Sequence, residues 1–216
     1  TGTGRISGLD LSVSQIRCSL DGTQGLLQTP EGTFPIGWRL IGRYNLENLL
    51  AACGALMGIG VPLKKAIPGV ESFLGVPGRL EKVDAGQPFP VFIDYAHTDG
   101  ALEPVLQQLK ACTSRKILVV FGCGGDRDRA KRPRMGRVAA QLADRVIITS
   151  DNPRSEDPGR IASEVAQGFQ GSSTPSEIVL DRREAIRRAV ESADSDWVVL
   201  IAGKGHENEQ ILKDRT

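Results

Sequence analysis

Only two histidines, His97 and His206, occur in 216 residues, which leaves no His-rich set for a metal centre. The four cysteines, at 18, 53, 112 and 123, form no CxxC pair and are too few in this length for a disulfide scaffold; they read as reduced thiols of a cytoplasmic chain. Aromatic residues make up only 5%. No apolar run reaches the roughly 20 residues of a membrane span, and the polar start TGTGRISGLDLS carries no hydrophobic signal segment. A strong charge of either sign is missing too. With 27 Lys plus Arg against 26 Asp plus Glu, no field draws the chain to nucleic acid or to an anionic membrane. A Gly-rich loop ending in Lys-Ser/Thr, the phosphate cradle of P-loop enzymes, occurs nowhere in it. Small molecules are the expected partners. The sequence does not fix an oligomeric state, and a monomer is favoured.

What is present is a globular balance, 40% hydrophobic and 25% charged, in a length that suits one large domain or two small ones. From Arg5 to Leu40, short β-favouring runs (RISGLDL, SQIRCSL, GLLQTP, FPIGWRL) alternate with Gly, Asp-Gly and Pro-Glu-Gly punctuation, which predicts small antiparallel strands. Asn45 can cap a helix whose apolar positions Leu46, Leu49, Leu50, Cys53 and Leu56 share one face. A second helical stretch from Pro62 contains Pro68, so it is expected to kink or to split in two. The segment GVPGR, residues 75–79, marks the best boundary.

Beyond it the pattern changes. The apolar runs PVFIDY, KILVVFG, RVIITSD, EIVLD and WVVLIAG alternate with amphipathic helices on the faces Leu102/Val105/Leu106/Leu109, Met135/Val138/Leu142 and Ile186/Ala189/Val190/Ala193. Such alternation predicts an α/β, Rossmann-like domain with a mostly parallel sheet. Ligands of such sheets bind beyond the carboxyl ends of the strands. Here those ends run into DYAHTD, GCGGDRDRAKRP, SDNPRSEDP and GKGHENEQ.

Taken singly, each segment has an ordinary explanation. GCGG is a common βα turn, and the charges after it can be a solvated, self-paired run. Asp151 and Asn152 can serve as turn and cap residues before Pro153, Gly203 and Gly205 can allow close packing, and Glu207 can favour a helix N-terminus. Arg154 is harder to dismiss. Its planar fork suits a carboxylate, on the same rim as Arg127, and two arginines there point to an anionic ligand.

The set DYAHT, GCGGDRDRAKRP, SDNPR and AGKGHE, in this order and spacing, resembles the Mur ligases. The resemblance starts weakly in the β-rich patch, firms at LIGRYNLENLLAA and is most specific from Asp94 to Glu207. It implies that residues 1–76 are the end of a central ATPase domain, and 77–216 most of a carboxyl-terminal Rossmann-like domain. By resemblance, the parent uses ATP and Mg²⁺ to activate the D-glutamate carboxylate of UDP-N-acetylmuramoyl-L-alanyl-D-glutamate as an acyl phosphate, which the amine of the incoming amino acid attacks. That places the chain in peptidoglycan precursor synthesis. The P-loop and the metal-associated lysine would lie outside these 216 residues, so the chain alone is expected to be inactive.

DNPR matches the members that add meso-2,6-diaminopimelate. That match implies Arg127 and Arg154 on a carboxylate, Gly203 and Glu207 on the distal ammonium, and Asp151, Asn152 and Pro153 shaping the pocket. Asn45, Arg79, Asp94 and His97 would lie near ATP, with His97 as a possible base and no metal ligand in this part. Relatives usually continue DYAHT with Pro, where this chain has Asp99, which puts the local turn and helix start in question. Alternatives are a lysine-adding ligase, a folylpolyglutamate or cyanophycin type ligase, and a non-catalytic scaffold.

Overall fold

The computed structural model describes residues 11–212. The run RISGLDL lies outside them except for Leu11, which is fully buried. The chain divides into two compact units, residues 1–75 with 111–113, and residues 76–110 with 114–216.

In the first unit, β1 (Ser12–Ser19), β2 (Gly22–Thr29) and β3 (Gly32–Trp38) form an antiparallel meander in that order. The turns fall at Asp21-Gly22 and Glu31-Gly32, where glycine accepts the positive φ. Helix α1 (Arg43–Gly58) buries Leu46, Leu49, Leu50 and Cys53 against Val13, Leu27, Ile36 and Trp38. Its cap differs from expectation. The helix opens at Gly42 with no side-chain cap, and Asn45 sits inside the first turn with Nδ2 donating to Ile41 O at 2.9 Å. Helix α2 (Leu63–Ser72) is one helix with Pro68 inside it, rather than two pieces. Cys18 and Cys112 are joined in a disulfide, which corrects the reading of four reduced thiols; Cys53 and Cys123 are free and buried. The partners are 94 residues apart in sequence, yet their Cα atoms lie 5.3 Å apart. Proximity in space, invisible to sequence spacing, decides such a link.

The second unit is built on a six-stranded sheet of order β4-β5-β9-β6-β7-β8. Its strands are β4 (Glu81–Val83), β5 (Val91–Asp94), β6 (Lys116–Phe121), β7 (Arg145–Ile148), β8 (Ser176–Ile178) and β9 (Trp197–Ala202). All neighbours pair in parallel except β4 with β5. Residues 117–121 of β6 are buried without alternation, as expected when both faces of a parallel sheet are covered. Helix α3 (Asp99–Cys112) buries Leu102, Val105, Leu106 and Leu109 as its periodicity predicts. Helix α4 (Lys131–Leu142) is rotated from the expected face. It buries Lys131, Arg132, Met135, Gly136, Ala139 and Ala140, while Val138 and Leu142 are half-buried.

Helix α5 (Pro158–Ala166) starts at an Asp157 cap whose carboxylate accepts from Arg160 N. Helix α6 (Arg182–Ser192) buries Arg182, Ala185 and Ala189, leaving Val190 exposed. The return of the chain from β8 to β9, between β5 and β6, aligns four strand ends: Asp94 pairs with Ala202, Val120 with Ile201 and Phe121 with Ile148. No described helix is long and apolar enough to cross a membrane.

Candidate functional site

The loops after β6 and β7 are joined before any ligand is considered. Gly125 N donates to Asn152 O at 2.9 Å, Asp126 N to Glu156 Oε1 at 2.7 Å, and Ser155 Oγ to Asp126 Oδ1 at 2.7 Å. The Ser155 hydroxyl, helped by the Ser155 amide, holds the exposed Asp126 carboxyl below its ordinary pKa. A Cβ on Gly125 would meet Pro153 O at 1.9 Å, so only glycine permits this approach. Beneath the joint, Arg132 is fully buried. Its Nη atoms donate to both oxygens of Glu156 at 2.8 and 2.9 Å, to Glu164 Oε2 at 2.7 Å and to Gly124 O at 3.3 Å.

This base presents Arg127 and Arg154. A Cβ on Gly124 would lie 2.9 Å from Arg154 Nη1 and 4.0 Å from Arg127 Cγ, so the two side chains flank one glycine. Arg154 takes a left-handed backbone, φ 52°, and its Nη1 donates to Gly125 O at 2.8 Å and to Asn152 O at 3.3 Å. A non-glycine residue held there stores strain of about 1–2 kcal/mol. Such a residue aims a side chain that the fold would not otherwise aim. Arg127 is exposed, with Nη1 on Asp126 O.

Across Asn152 the chemistry changes sign. Glu207 Oε2 accepts from Lys204 Nζ at 3.2 Å and from Asn152 Nδ2 at 3.5 Å, while Oε1 accepts from Tyr95 Oη at 3.2 Å. Burial pushes the Glu207 carboxyl up, but Lys204, Tyr95 and Asn152 together outweigh it and the net displacement is downward. Lys204 is buried and also reaches Asn152 Oδ1 at 2.9 Å and Asp151 Oδ1 at 3.3 Å. Pro153 is buried in the turn between the two halves. Gly203 holds φ 113° and donates its amide to Asp94 O, and Asp151 Oδ2 lies 3.6 Å from where its Cβ would be. Behind them, Arg182 Nη2 donates to Ala202 O at 2.9 Å, and its Nη1 is buried without a partner. Burial lowers the Arg182 pKa, against the pull of the Asp151 and Glu207 carboxylates. Sequence reading passed over Lys204, Arg182 and Tyr95. The signal for Lys204 was its place between two glycines at a strand end.

On the β5 side, Asp94 is a knot of backbone contacts. Its oxygens accept from Leu80 N and Ala96 N, both at 2.7 Å. Burial nevertheless raises its pKa, overcoming those two amides and Arg79. Arg79 lies over the Tyr95 ring at 4.7 Å, an arrangement that favours the cation. His97 Nδ1 lies 2.9 Å from Tyr95 O. A carbonyl only accepts, so Nδ1 is the donor in this contact. Lys131 Nζ donates to His97 O. Thr98 caps α3 through its hydroxyl and Asp99 is the first helical residue, ion-paired with Arg134 at 3.0 Å. That position accepts proline or an acid equally well, so the helix start is intact. Asn45 belongs to the first unit, in α1.

A family model described as "Mur ligase, glutamate ligase domain" matches residues 78–205. A UDP-N-acetylmuramoyl-L-alanyl-D-glutamate--2,6-diaminopimelate ligase of Solibacter usitatus is 45% identical over 207 residues, covering 96% of this chain and 42% of that protein. The enzyme of the same name from Listeria innocua is 46% identical over 206 residues, with 95% and 42% covered. A solved structure of a ligase so named superimposes with a TM-score of 0.70 at 41% identity, over 95% of this chain and 42% of that one. A folylpolyglutamate synthase from Thermotoga maritima shares the fold, with a TM-score of 0.71 at 22% identity. The chain thus spans about two fifths of the length of these curated relatives.

Proposed function

The chain belongs to the Mur ligase family, and from that premise we propose that residues 77–216 are the amino-acid-receiving domain of a ligase that adds meso-2,6-diaminopimelate to UDP-N-acetylmuramoyl-L-alanyl-D-glutamate. Residues 1–76 are then the end of its central, ATP-using domain. One observation carries the reading of the acceptor. Arg154 Nη1 reaches Asn152 O at 3.3 Å, and Asn152 Nδ2 reaches Glu207 Oε2 at 3.5 Å. A guanidinium and a carboxylate therefore flank one residue, as a ligand head bearing both a carboxylate and an ammonium requires. Diaminopimelate has such a head at its far end, whereas lysine ends in an ammonium alone.

In this reading Arg154, with Arg127 beside it, holds the distal carboxylate, and Glu207 with Gly203 O receives the distal ammonium. Fixing the far end orients the near amine for attack, and such positioning is the domain's contribution to rate. In the neutral tautomer that donates Nδ1–H to Tyr95 O, His97 Nε2 is the nitrogen able to accept a proton. The nucleotide and Mg²⁺ of the family are not built from the described residues alone. No three of their His, Cys, Asp or Glu side chains group as a cation site. Asn45 donates to Ile41 O and accepts from Asn48 Nδ2, Asp94 accepts from the Leu80 and Ala96 amides, and among the nucleotide-side candidates Arg79 keeps a guanidinium over an aromatic face.

The test is calorimetric titration of the 216-residue chain with meso-diaminopimelate. Arg154→Ala is expected to weaken binding by about one to two decades, the worth of a charge-assisted hydrogen bond. Arg129→Ala, which removes a charge of the same loop that is engaged by Glu164, is expected to change it less than threefold. Equal losses in the two variants would reduce DNPR to a turn and remove the basis for naming the acceptor.

A further inference from the structure

The oxygens of the cleft that would accept a ligand ammonium already surround one. Lys204 Nζ lies 2.9 Å from Asn152 Oδ1, 3.2 Å from Glu207 Oε2 and 3.3 Å from Asp151 Oδ1. Its side chain is about one-tenth exposed, so water replaces these contacts poorly and the ion pairs count for more than surface ones. In the half of the cleft that excludes Arg154, two cations, Lys204 and Arg182, thus accompany two carboxylates, Asp151 and Glu207, and that half is neutral before any ligand arrives. A ligand that brings only an ammonium makes it three cations against two carboxylates. It also competes for Glu207 with an amine that is tethered to the site, and tethering confers a high effective concentration. A ligand that brings ammonium and carboxylate together restores neutrality and gains Arg154.

Resting on the diaminopimelate reading of this cleft, we propose that Lys204 is a specificity-determining residue, an internal ammonium that shares Glu207 and so excludes amino acids ending in a lone ammonium. When the correct ligand enters, Lys204 yields Glu207 and keeps Asp151 and Asn152. Selectivity of this kind comes from a repulsive element placed against the wrong ligand, in addition to attraction for the right one. Asn152 accepts from Lys204 and contacts Glu207 as well, so the same lysine fixes the side chain on which both halves of the cleft meet.

Two measurements on the 216-residue chain and its Lys204→Met variant test this. In the first, meso-diaminopimelate and L-lysine are titrated separately, and the ratio of their dissociation constants is compared. The ratio is expected to shrink about tenfold in the variant, equivalent to about 1.4 kcal/mol, chiefly because lysine binds more tightly. An unchanged ratio, or an equal weakening of both ligands, makes Lys204 a structural ion pair and overturns the proposal. In the second, ethylammonium chloride is expected to raise the melting temperature of the variant above that in equal sodium chloride, and to leave the parent chain unaffected. Equal responses of the two proteins overturn the occupied-cage geometry. This arm contains no amino-acid ligand. A parent chain that fails to bind diaminopimelate, while ethylammonium still rescues the variant, therefore sinks the acceptor reading and with it the selectivity claim, leaving the cage as an ammonium site. Lys204→Gln, which keeps a hydrogen-bond donor without the charge, is carried through both measurements so that misfolding of the Met variant cannot decide either.

Discussion

Arg132 is the largest side chain that the described residues bury completely, and the composition of the run DRDRAKR does not distinguish it from its neighbours. Arg134 pairs with Asp99 and Asp128, and Arg129 with Glu164, as an exposed charge run should. Arg132 instead enters the fold to hold Glu156 and Glu164. The clue was periodicity, since Arg132 falls on the same helical face as Met135, Gly136 and Ala139. Arg132→Ala is expected to cost about 3 kcal/mol in urea unfolding, because it leaves two carboxylates facing a buried void. A loss below about 1 kcal/mol would place the network among ordinary surface pairs. The pH dependence has a definite sign. Arg132 and the Asp126 amide hold the Glu156 carboxyl, and Arg129 and Arg132 the Glu164 carboxyl, down to about 2 from an ordinary 4.5. Folded values below unfolded ones mean stability that is complete above about 4.5 and lost as pH falls toward 2. Melting temperature should fall across that window in the parent chain, and less steeply in Arg132→Ala. Among the candidate residues, Arg154 and Glu207 stand out in the sequence through their motifs, and the fold brings both to Asn152. Lys204 is marked only by its place between two glycines at a strand end, a position without periodic signal.

Elements were legible where burial is two-sided. The runs of β5, β6, β7 and β9 are short, apolar and bounded by glycine or charge, as covered parallel strands must be. Strand β4 was missed because its three residues, Glu81, Lys82 and Val83, form an edge with nothing apolar to repeat. The two compact units divide within the segment GVPGR, after Gly75, and the packing of that segment is not read from the sequence. Gly78 takes φ 69°, and a Cβ there would lie 2.1 Å from His206 N and 2.6 Å from Gly205 Cα. The residue before Arg79 is thus packed on the backbone of GKGHE, and Gly78→Ala must displace the segment that carries Lys204 and Glu207. Backbone conformation alone costs about 1–2 kcal/mol. We expect a lower melting temperature together with at least tenfold weaker diaminopimelate binding. Gly58→Ala, where nothing lies within 4 Å, is the matched control and should be neutral or slightly stabilising. If both variants bind alike, the two segments do not depend on each other.

At the scale of the whole molecule, what the 216 residues contain is asymmetric. The strand ends of the second unit gather guanidinium, ammonium and carboxylate groups on one rim, joined by hydrogen bonds within the chain. No Gly-rich loop ending in Lys-Ser/Thr accompanies them, and Mur relatives of this chain are more than twice its length. Binding of the acceptor and activation of the donor are separable on this account, because the first uses a preformed pocket and the second needs a cradle for a triphosphate. The chain as given should therefore bind diaminopimelate yet release no ADP from ATP when supplied with UDP-N-acetylmuramoyl-L-alanyl-D-glutamate, diaminopimelate and Mg²⁺. A coupled ADP assay checks this against a blank without protein. The binding titration on the same preparation shows that the pocket is intact, so a silent assay cannot be blamed on misfolding. Sustained ADP release that depends on both substrates would mean that residues 1–216 hold a complete phosphoryl-transfer site. The division between an acceptor half here and a donor half elsewhere would then have to be abandoned.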